Sequence, residues 1–393
     1  MLRYPFEREN CLSPMPHPEL PGRSRPTRVV MPSGHPAHLV TRYRDVARAL
    51  ADHRLSRRGM LVAPGGPRFT PADIDEPGLL GLDPPDHTRV RRLCAPAFRP
   101  GPVGARAPGI RALAHRLLDG LRAWADPVVD LHHGFSLPLA TATTADLLGI
   151  PSDDHPALVR WARQKLSLTG LPPERARAGH LALRSHFEAL ALGSPTRRPR
   201  AGMIALLAGA HAEGRIGRTE LPAVLVNLFV AGHTTTSAVL TNGLLRLLVR
   251  PARWSALIDE PALIGPAVAE ILRHDVAGDM SLPRLATEDL RIGETTVRAG
   301  EAVIPAHAYA NRDPEVFDRP DEFDITRRPA RNLAFGHGPH HCIGSALAVL
   351  ELEIALTAVT ERFPRLRLAA PPGTLPWNNG SLTGGVTSLP VHL

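Results

Sequence analysis

The feature that most limits the possible folds of this chain is an uncharged stretch of 25 residues, 221–245. A helix of that length could cross a bilayer, because about 20 apolar residues span the hydrocarbon core. The stretch also carries amide, hydroxyl and imidazole side chains, at Asn227, His233, Thr234, Thr235, Thr236, Ser237, Thr241 and Asn242. Most of them would need polar partners inside the lipid. We therefore predict a long helix through the centre of a large soluble domain, beginning near Thr219 and ending before Pro251.

The remaining sequence also favours helices. Aromatic residues number only 17, being 10 Phe, 4 Trp and 3 Tyr, so Leu, Ala and Val must fill most of the core. Apolar periodicity predicts helices at 44–52, 110–124, 137–149, 154–168, 174–192, 262–274 and 343–363.

Alternating residues predict short strands at 38–43, at 289–305 and in the tail after Gly385. The proline-rich first 37 residues are expected to form an irregular arm, and 59–86, rich in Gly and Pro, a long loop. Because no linker divides the sequence, residues 1–393 are predicted to form one domain, mainly α with small antiparallel β-sheets.

Composition also bounds location and partners. The three cysteines, Cys11, Cys94 and Cys342, have no paired spacing, which argues against a disulfide framework and for a reducing compartment. The N-terminus has no apolar signal, so we expect a cytoplasmic protein without a membrane anchor. The formal charge is +8, but the arginines are scattered without interleaved aromatic residues, which argues against nucleic-acid binding. A basic face that attracts an acidic protein partner is the more specific interpretation.

The strongest chemical signal is FGHGPHHCIG, residues 335–344, which places a lone cysteine between a glycine-rich loop and a helix start. Free amides at a helix N-terminus stabilise a thiolate and lower the pKa of the cysteine. Gly336 and Gly338 permit a tight turn, and Gly344 leaves the first helical turn bare enough for a flat ligand. The pattern predicts a site for a planar metal macrocycle.

Two other interpretations of this loop stay open on the residues alone. Cys342 could be a buried, unreactive cysteine, which is the common case for an isolated one. His337, His340, His341 and Cys342 could instead bind zinc. A structural zinc site usually pairs two spaced clusters, however, and the sequence has no second Cys/His cluster at that spacing.

The sequence resembles the cytochrome P450 family of haem-thiolate monooxygenases, in particular its soluble bacterial members, over nearly its whole length. The family's haem loop has a phenylalanine, two glycines, a basic residue two before the cysteine and a glycine two after it. These features match Phe335, Gly336, Gly338, His340, Cys342 and Gly344. The resemblance implies a haem b enclosed between the central helix and this loop, with Cys342 as its axial thiolate.

The resemblance also implies basic partners for the haem propionates, because buried carboxylates need cationic partners. His340 is one of them. His87 and Arg91, four residues apart in DPPDHTRVRR, and Arg284 in LPRLATEDL are the others. Any one of these residues alone could be a surface charge.

AGHTTT, residues 231–236, resembles the family's oxygen-binding motif. The resemblance implies that Ala231 and Gly232 make room for dioxygen and that Thr235 hydrogen-bonds it, whereas a threonine considered alone would bond its own helix backbone. The family commonly has an acid just before this threonine, and Thr234 stands there. A hydroxyl relays protons only together with water, so proton delivery is expected to be altered.

Glu270 and Arg273 share a helix face at i and i+3, and in isolation they would be an exposed pair worth ~0.2–0.5 kcal/mol. The resemblance implies instead a structural clamp behind the haem loop. Glu322 stands where the family frequently has the third member, an arginine, and Arg327 is a possible substitute.

Helical spacing places Asn227, Ala231 and Thr235 on one face, so an amide would sit beside the reaction site. We expect a substrate with hydrogen-bonding groups, although an ordered water or a core contact would satisfy the amide equally well. The resemblance adds further substrate contacts, with residues 59–83 as the cover of the site. These contacts are Val230, Met280, Leu282 and Leu382.

The function implied is a monomeric oxidase that receives electrons from NAD(P)H through a ferredoxin reductase and an acidic ferredoxin. It would use dioxygen to hydroxylate a small natural product of bacterial secondary metabolism. Thr234 leaves open a second reaction, oxidative coupling or ring closure without oxygen insertion, for example on a cyclic peptide or an aromatic substrate. A haem-binding sensor without turnover is the alternative from another class.

Overall fold

The computed structural model describes residues 2–6, 25–72, 77–124, 126–194, 199, 201–275, 281–328 and 331–393. The helices in these ranges are α1 (Tyr43–Ala51), α2 (Arg57–Val62), α3 (Asp86–Cys94), α4 (Pro100–Gly104), α5 (Ala107–Arg122), α6 (Leu137–Leu148), α7 (His155–Lys165), α8 (Pro173–Leu192), α9 (Gly202–Ala212), α10 (Glu220–Leu248), α11 (Pro251–Asp259), α12 (Ile264–His274), α13 (His307–Ala310) and α14 (Ser345–Arg362). The predicted helices are present with ends shifted by a few residues, because local spacing defines a helix better than it defines its termini.

The strands are β1 (Leu2–Arg3), β2 (Thr27–Val30), β3 (Pro36–Val40), β4 (Leu55–Ser56), β5 (Val129–Asp130), β6 (Arg284–Ala286), β7 (Leu290–Ile292), β8 (Thr295–Val297), β9 (Ala302–Pro305), β10 (Arg367–Leu368) and β11 (Pro390–His392). They form a six-stranded sheet in the order β1-β2-β3-β9-β6-β4, a three-stranded sheet β10-β11-β5 and the hairpin β7-β8. The small β-sheets are present as predicted, and the prediction is wrong only in that the largest sheet is mixed and not purely antiparallel. In that sheet β1 pairs with β2, and β3 with β9, in parallel.

The expectation of an irregular arm over residues 1–37 is also wrong where the structure describes it. β1, β2 and the start of β3 lie in this segment, and Val29 is fully buried. Pro26 and Pro32 flank β2, so they bound the strand without interrupting its hydrogen bonds. Residues 7–24, which include Cys11, lie outside the described part of the chain.

Two other local predictions need correction. The loop predicted at 59–86 begins inside α2, and its residues 73–76 lie outside the described ranges. α5 ends at Arg122, so Trp124 does not belong to its apolar face and is 67% exposed.

The central helix is confirmed as α10. By length and composition it could cross a membrane, but 72% of its most apolar window is buried inside the protein. It packs against α6, α8, α12 and α14. At Gly232 the approach to α6 is so close that a Cβ atom would lie 2.7 Å from the side chain of Thr144. α10 thereby forms one wall of the cavity described next.

Candidate functional site

A cavity of about 350 Å³ lies between α10, the N-terminal half of α14 and the loop that precedes α14. Its volume falls within the roughly 300–1,000 Å³ of small-molecule sites. The contribution of α10 is Asn227, Leu228, Ala231, Gly232, Thr235, Thr236 and Val239. The loop before α14 contributes Phe335, Gly336, His340, Cys342 and Gly344. The structure therefore brings the two strongest sequence motifs together in the lining of one cavity.

The loop before α14 is held by its own backbone and by α1. The amide of Cys342 donates to the carbonyl of Phe335 at 2.8 Å. Gly336 and Gly338 have φ angles of 71° and 74°, a region that favours glycine. A Cβ atom on Gly338 would also lie 2.8 Å from the carbonyl oxygen of Leu50. These contacts fix where Cys342 faces the cavity.

The Cys342 side chain is open to the cavity but is otherwise surrounded by protein. Burial raises the pKa of this thiol, while the Gly344 amide and the Arg91 charge oppose the shift. The prediction that the helix N-terminus lowers the pKa of Cys342 is therefore wrong as a net effect. α14 begins only at Ser345, and burial outweighs the amide contact. A bound metal cation would favour the thiolate.

The predicted basic residues form a cluster on the same cavity. The rings of His87 and His340 lie 4.2 Å apart between centroids. Burial, followed by the charges of His87 and Arg284, lowers the pKa of His340 to about 2. Burial lowers the pKa of Arg284 to about 10. Arg91 lines the cavity beside them. The two arginine charges, with the N–H donors of the neutral imidazoles beside them, favour an anion in their midst.

Two further side chains of this cluster were missed from the sequence, Arg57 and His307. Arg57 is buried, and its guanidinium donates to the carbonyls of Leu80, at 3.0 Å, and of Pro283. His307 bonds Ser281 through Nδ1 at 2.7 Å, whereas its buried Nε2 has no partner among the described residues. No sequence motif marks either residue, because each reaches the cavity through the packing of distant segments.

The threonines of α10 differ in their hydrogen bonds. The hydroxyls of Thr234 and Thr235 donate to the carbonyls of Val230 and Ala231, both at 2.6 Å. Thr235 lines the cavity, but Thr234 does not. The structure thus shows the bond expected for isolated helix threonines, and the cavity-facing position only for Thr235.

Asn227 also lines the cavity, and its Oδ1 accepts the amide of Leu80 at 2.9 Å. This bond orients the side-chain amide of Asn227. Its Nδ2 hydrogens make no hydrogen bond to the described residues and remain available to a molecule in the cavity. Gly78 packs against the same side chain, since a Cβ there would lie 2.6 Å from Asn227 Oδ1. Residues 77–82 therefore cover this end of the cavity, which agrees with the predicted cover over part of its length.

The other predicted substrate contacts have different outcomes. Leu282 lines the cavity. Val230 and Leu382 do not line the cavity, and both belong to a neighbouring apolar cluster. Val230 points away because it lies on a different face of α10 from Asn227 and Thr235. Met280 lies outside the described residues.

The predicted clamp is present. Arg273 donates to both carboxylate oxygens of Glu270 at 2.7 and 2.8 Å, and to the carbonyls of Asn311, Pro320 and Glu322. Arg327 reaches the same carboxylate at 3.2 Å. The substitute third member is thus Arg327, and Glu322 takes part through its carbonyl alone.

The donor set fits a haem. A thiol faces the cavity, and the buried Nε2 atoms of His87 and His307, which also line it, have no partner among the described residues and would be available to haem carboxylates. In contrast, the described residues contain no group of three His, Cys, Asp or Glu side chains that could hold a metal ion by themselves. The zinc interpretation therefore has no support in this part of the chain.

Comparison with known proteins agrees with this fit. Residues 182–379 match the family model of cytochrome P450. Nocardicin C N-oxygenase of Nocardia uniformis subsp. tsuyamanensis is 38% identical over 93% of this chain and 91% of its own length. The chain belongs to the cytochrome P450 family. Another relative of this P450 is the mycinamicin IV hydroxylase/epoxidase of Micromonospora griseorubida, 35% identical over 93% of this chain and 91% of its own.

Solved structures show the same fold. The crystal structure of HinD with NMFT and NO has a TM-score of 0.92 and 40% identity, covering 100% of this P450 and 99% of that chain. The mycinamicin VIII C21 methyl hydroxylase MycCI has a TM-score of 0.90 and 31% identity, with 100% of both chains covered. The predicted family, mainly α fold, monooxygenase activity and dependence on haem b with electrons from NAD(P)H are confirmed.

Proposed function

We propose that this P450 hydroxylates a small natural product in a bacterial secondary pathway, with haem b bound to Cys342. The observation that carries the proposal is that Cys342 and the Ala231, Gly232 and Thr235 face of α10 line one cavity. Relatives named for oxygenation of nocardicin C and for hydroxylation or epoxidation of mycinamicin IV support a natural product as substrate. No observation favours the coupling reaction or the sensor.

Haem, when bound, supplies the activation of dioxygen and the oxidising equivalent. The protein supplies the ligand, the charges and the shape of the cavity. Cys342 offers its thiolate, and Gly344 leaves the first turn of α14 open. His87, Arg91, Arg284 and His340 would hold the haem carboxylates, as would the two additional donors Arg57 and His307. Phe335 and Gly336 shape the loop between them.

Thr235 is proposed to hold a proton at Oγ1 beside the site of dioxygen reduction, with Ala231 and Gly232 leaving the space. In the structure this proton points to the carbonyl of Ala231 at 2.6 Å. The hydroxyl must therefore share or release that bond to serve the cavity. Thr234, bonded to Val230 and off the cavity, acts through the backbone of α10 and not by direct contact.

Asn227 is proposed to select the substrate. Its Oδ1 is engaged by Leu80, so what it offers is a pair of Nδ2 donors at the end of a cavity whose other walls include Leu79, Leu228 and Leu282. An apolar molecule with one hydrogen-bond acceptor, such as a carbonyl or ether oxygen, suits this arrangement.

The finer features of its cellular role are also proposals. Residues 1–393 form one P450 domain that works as a monomer in the cytoplasm. Its electrons come from a ferredoxin reductase through an acidic ferredoxin, which the formal charge of +8 would attract.

One experiment separates the candidate reactions. The purified protein is loaded with haem, supplied with a surrogate ferredoxin and reductase, and offered candidate substrates that displace the ferric-iron water, under labelled dioxygen. Label in the product supports hydroxylation, product without label supports coupling, and haem binding without product supports the sensor. Cys342→Ser should lose the thiolate-type spectrum of the ferrous carbon monoxide adduct. Retention of that spectrum would overturn the assignment of Cys342.

A further inference from the structure

The peptide of Leu80, within the cover formed by residues 77–82, is held by two side chains from different parts of the molecule. Its amide donates to Asn227 Oδ1 of α10 at 2.9 Å, and its carbonyl accepts from Arg57 Nε of α2 at 3.0 Å. Neither group has a hydrogen bond to the backbone of another described residue. The two side chains thus supply the partners that a strand or helix would otherwise provide.

This peptide separates the cavity from solvent. Leu80 lines the cavity and is nevertheless 39% exposed, whereas Leu79, which also lines it, is 4% exposed. On the inner side, Gly78 lies so close to α10 that a Cβ atom would be 2.6 Å from the carbonyl oxygen of Ala223. The cover is therefore a single layer of chain, and a molecule that enters past it must displace the Leu80 peptide from its two partners.

Arg57 belongs at the same time to the cluster of basic residues on the cavity. Its guanidinium also donates to the carbonyl of Pro283, and its Nη2 hydrogens make no hydrogen bond to the described residues. Burial, followed by the charge of Arg284, lowers the pKa of Arg57 to about 9, while the Asp83 carboxylate opposes the shift. The two guanidinium groups therefore repel each other until an anion in the cavity compensates them.

We propose that Arg57 and Asn227 are positioning residues that act on the substrate through Leu80, and that Arg57 links haem binding to closure of the cover. A haem carboxylate fixes the guanidinium of Arg57, which then holds the Leu80 carbonyl, while Asn227 holds the amide of the same peptide. Without haem, repulsion from Arg284 displaces Arg57, and the peptide loses one of its two bonds. The link to haem and to substrate rests on the proposed function, whereas the bond to Asn227 does not.

The first test needs neither substrate nor turnover. Amide hydrogen exchange is measured in the haem-free and haem-loaded wild type, and Leu80 should exchange about tenfold more slowly with haem. The internal reference is Val386, whose amide donates to Asn242 of the same helix at 3.1 Å and which lies off the cavity. Its exchange should slow less, because haem stabilises it only through the fold as a whole. Equal slowing at the two amides would overturn the link between haem and the cover, also if a variant fails to fold.

Variants separate the two bonds of Leu80 from other effects. Asn227→Leu and Asn227→Asp both remove the Nδ2 donors, but only Asn227→Leu removes the acceptor, so it alone should speed exchange at Leu80 by about tenfold. Arg57→Met should abolish the slowing that haem causes at Leu80, and Arg57→Lys should restore part of it. The matched control is Arg58→Met, since that side chain is exposed and pairs with Asp86. Equal effects of Arg58→Met and Arg57→Met, or of the two Asn227 variants, would overturn the assigned bonds.

The second test shows whether the two side chains act through one peptide. Phenylimidazole binds ferric haem through a ring nitrogen and carries an apolar ring into the cavity, so its spectral shift reports affinity without a known substrate. Arg57→Met and Asn227→Leu should each weaken its binding severalfold. The double variant should lose less than the product of the two factors, because either change already frees Leu80. Losses that multiply would overturn the coupling through Leu80.

The outcomes also separate this proposal from the proposed function. Unchanged exchange at Leu80 on haem loading, together with a thiolate-type spectrum, would overturn the link to the cover while haem binding at Cys342 stands. Loss of that spectrum in the wild type would overturn the function itself, and the two Asn227 variants would still test the bond to Leu80 in the haem-free protein.

Discussion

Two glutamates in this molecule are equally buried and have opposite surroundings. Glu270 on α12 and Glu351 on α14 are each 2% exposed, and both helices pack against α10. Glu270 receives Arg273, Arg327 and the amide of Asp324. Glu351 faces a cavity, and its buried Oε1 has no hydrogen-bond partner among the described residues. Burial alone therefore does not decide what a carboxyl group does.

The difference lies in what each neighbourhood stabilises. A carboxylate enclosed by two guanidinium groups and an amide stays charged and ties its chain segments together, so its value is structural. A carboxyl group enclosed by apolar atoms stays protonated, costs stability when it ionises and remains free to exchange a proton. The ion-paired carboxylate therefore stabilises the fold, and the protonated carboxyl group can exchange its proton.

The largest effect on stability should follow from removing the charge of Glu270. Glu270→Gln leaves Arg273 buried without its counter-charge, which typically costs about 3–5 kcal/mol. We expect the free energy of unfolding in urea to fall by that amount and the protein to lose haem on purification.

The matched control is Glu322→Gln, because the side chain of Glu322 is 59% exposed and pairs only with the surface residue Arg319 among the described residues. A surface pair of this kind is worth about 0–1 kcal/mol. Equal losses in the two variants would contradict the assignment of Glu270 to the clamp.

The pH dependence of the free energy of unfolding should test the surroundings of Glu351. Burial raises the pKa of Glu351 to about 8 in the folded protein, against the usual 4.5 of a glutamate, so unfolding releases a proton between these pH values. Wild type should lose stability relative to Glu351→Gln by about 1.4 kcal/mol for each pH unit of rise in that range. The measurement is the difference in unfolding free energy at several pH values between pH 5 and pH 7. A difference independent of pH would mean that Glu351 is already ionised.

The two glutamates also show what the sequence can predict. Glu270 and Arg273 lie at i and i+3 on one helix, so their contact follows from local geometry, and the family resemblance supplied its meaning. In the same way, the spacing of residues within one segment predicts the helix at 220–248 and the loop around Cys342. These elements were predicted correctly.

Contacts between distant segments had no such local signal. The surroundings of Glu351 depend on how α10, α12 and α14 pack together. The hydrogen bond between Asn227 and Leu80 joins residues 147 positions apart. The parallel pairing of β1 with β2 likewise joins residues far apart in the sequence, Leu2 with Val29. Such features need three-dimensional information, because spacing along one element does not encode them.

Arg327 offers a smaller change on the clamp. Its guanidinium lies 3.2 Å from Glu270 and donates to the carbonyls of Asp318, Arg319 and Glu322, while Arg273 holds the same carboxylate independently. Arg327→Ala should therefore cost about 1–3 kcal/mol, less than Glu270→Gln. Urea denaturation of both variants checks the order. A loss as large as that at Glu270 would show that Arg273 alone cannot compensate the carboxylate.

The smallest effect on stability should come from Thr236→Val, which keeps the shape of the side chain and removes a hydroxyl that makes no bond to the described residues. We expect a change within about 1 kcal/mol in unfolding free energy. Thr234→Val is the control, since that hydroxyl donates to Val230 at 2.6 Å and lies off the cavity. The loss of stability should be larger in Thr234→Val, because that variant loses a hydrogen bond. Equal losses in the two variants would mean that the Thr236 hydroxyl also makes a bond in the folded protein.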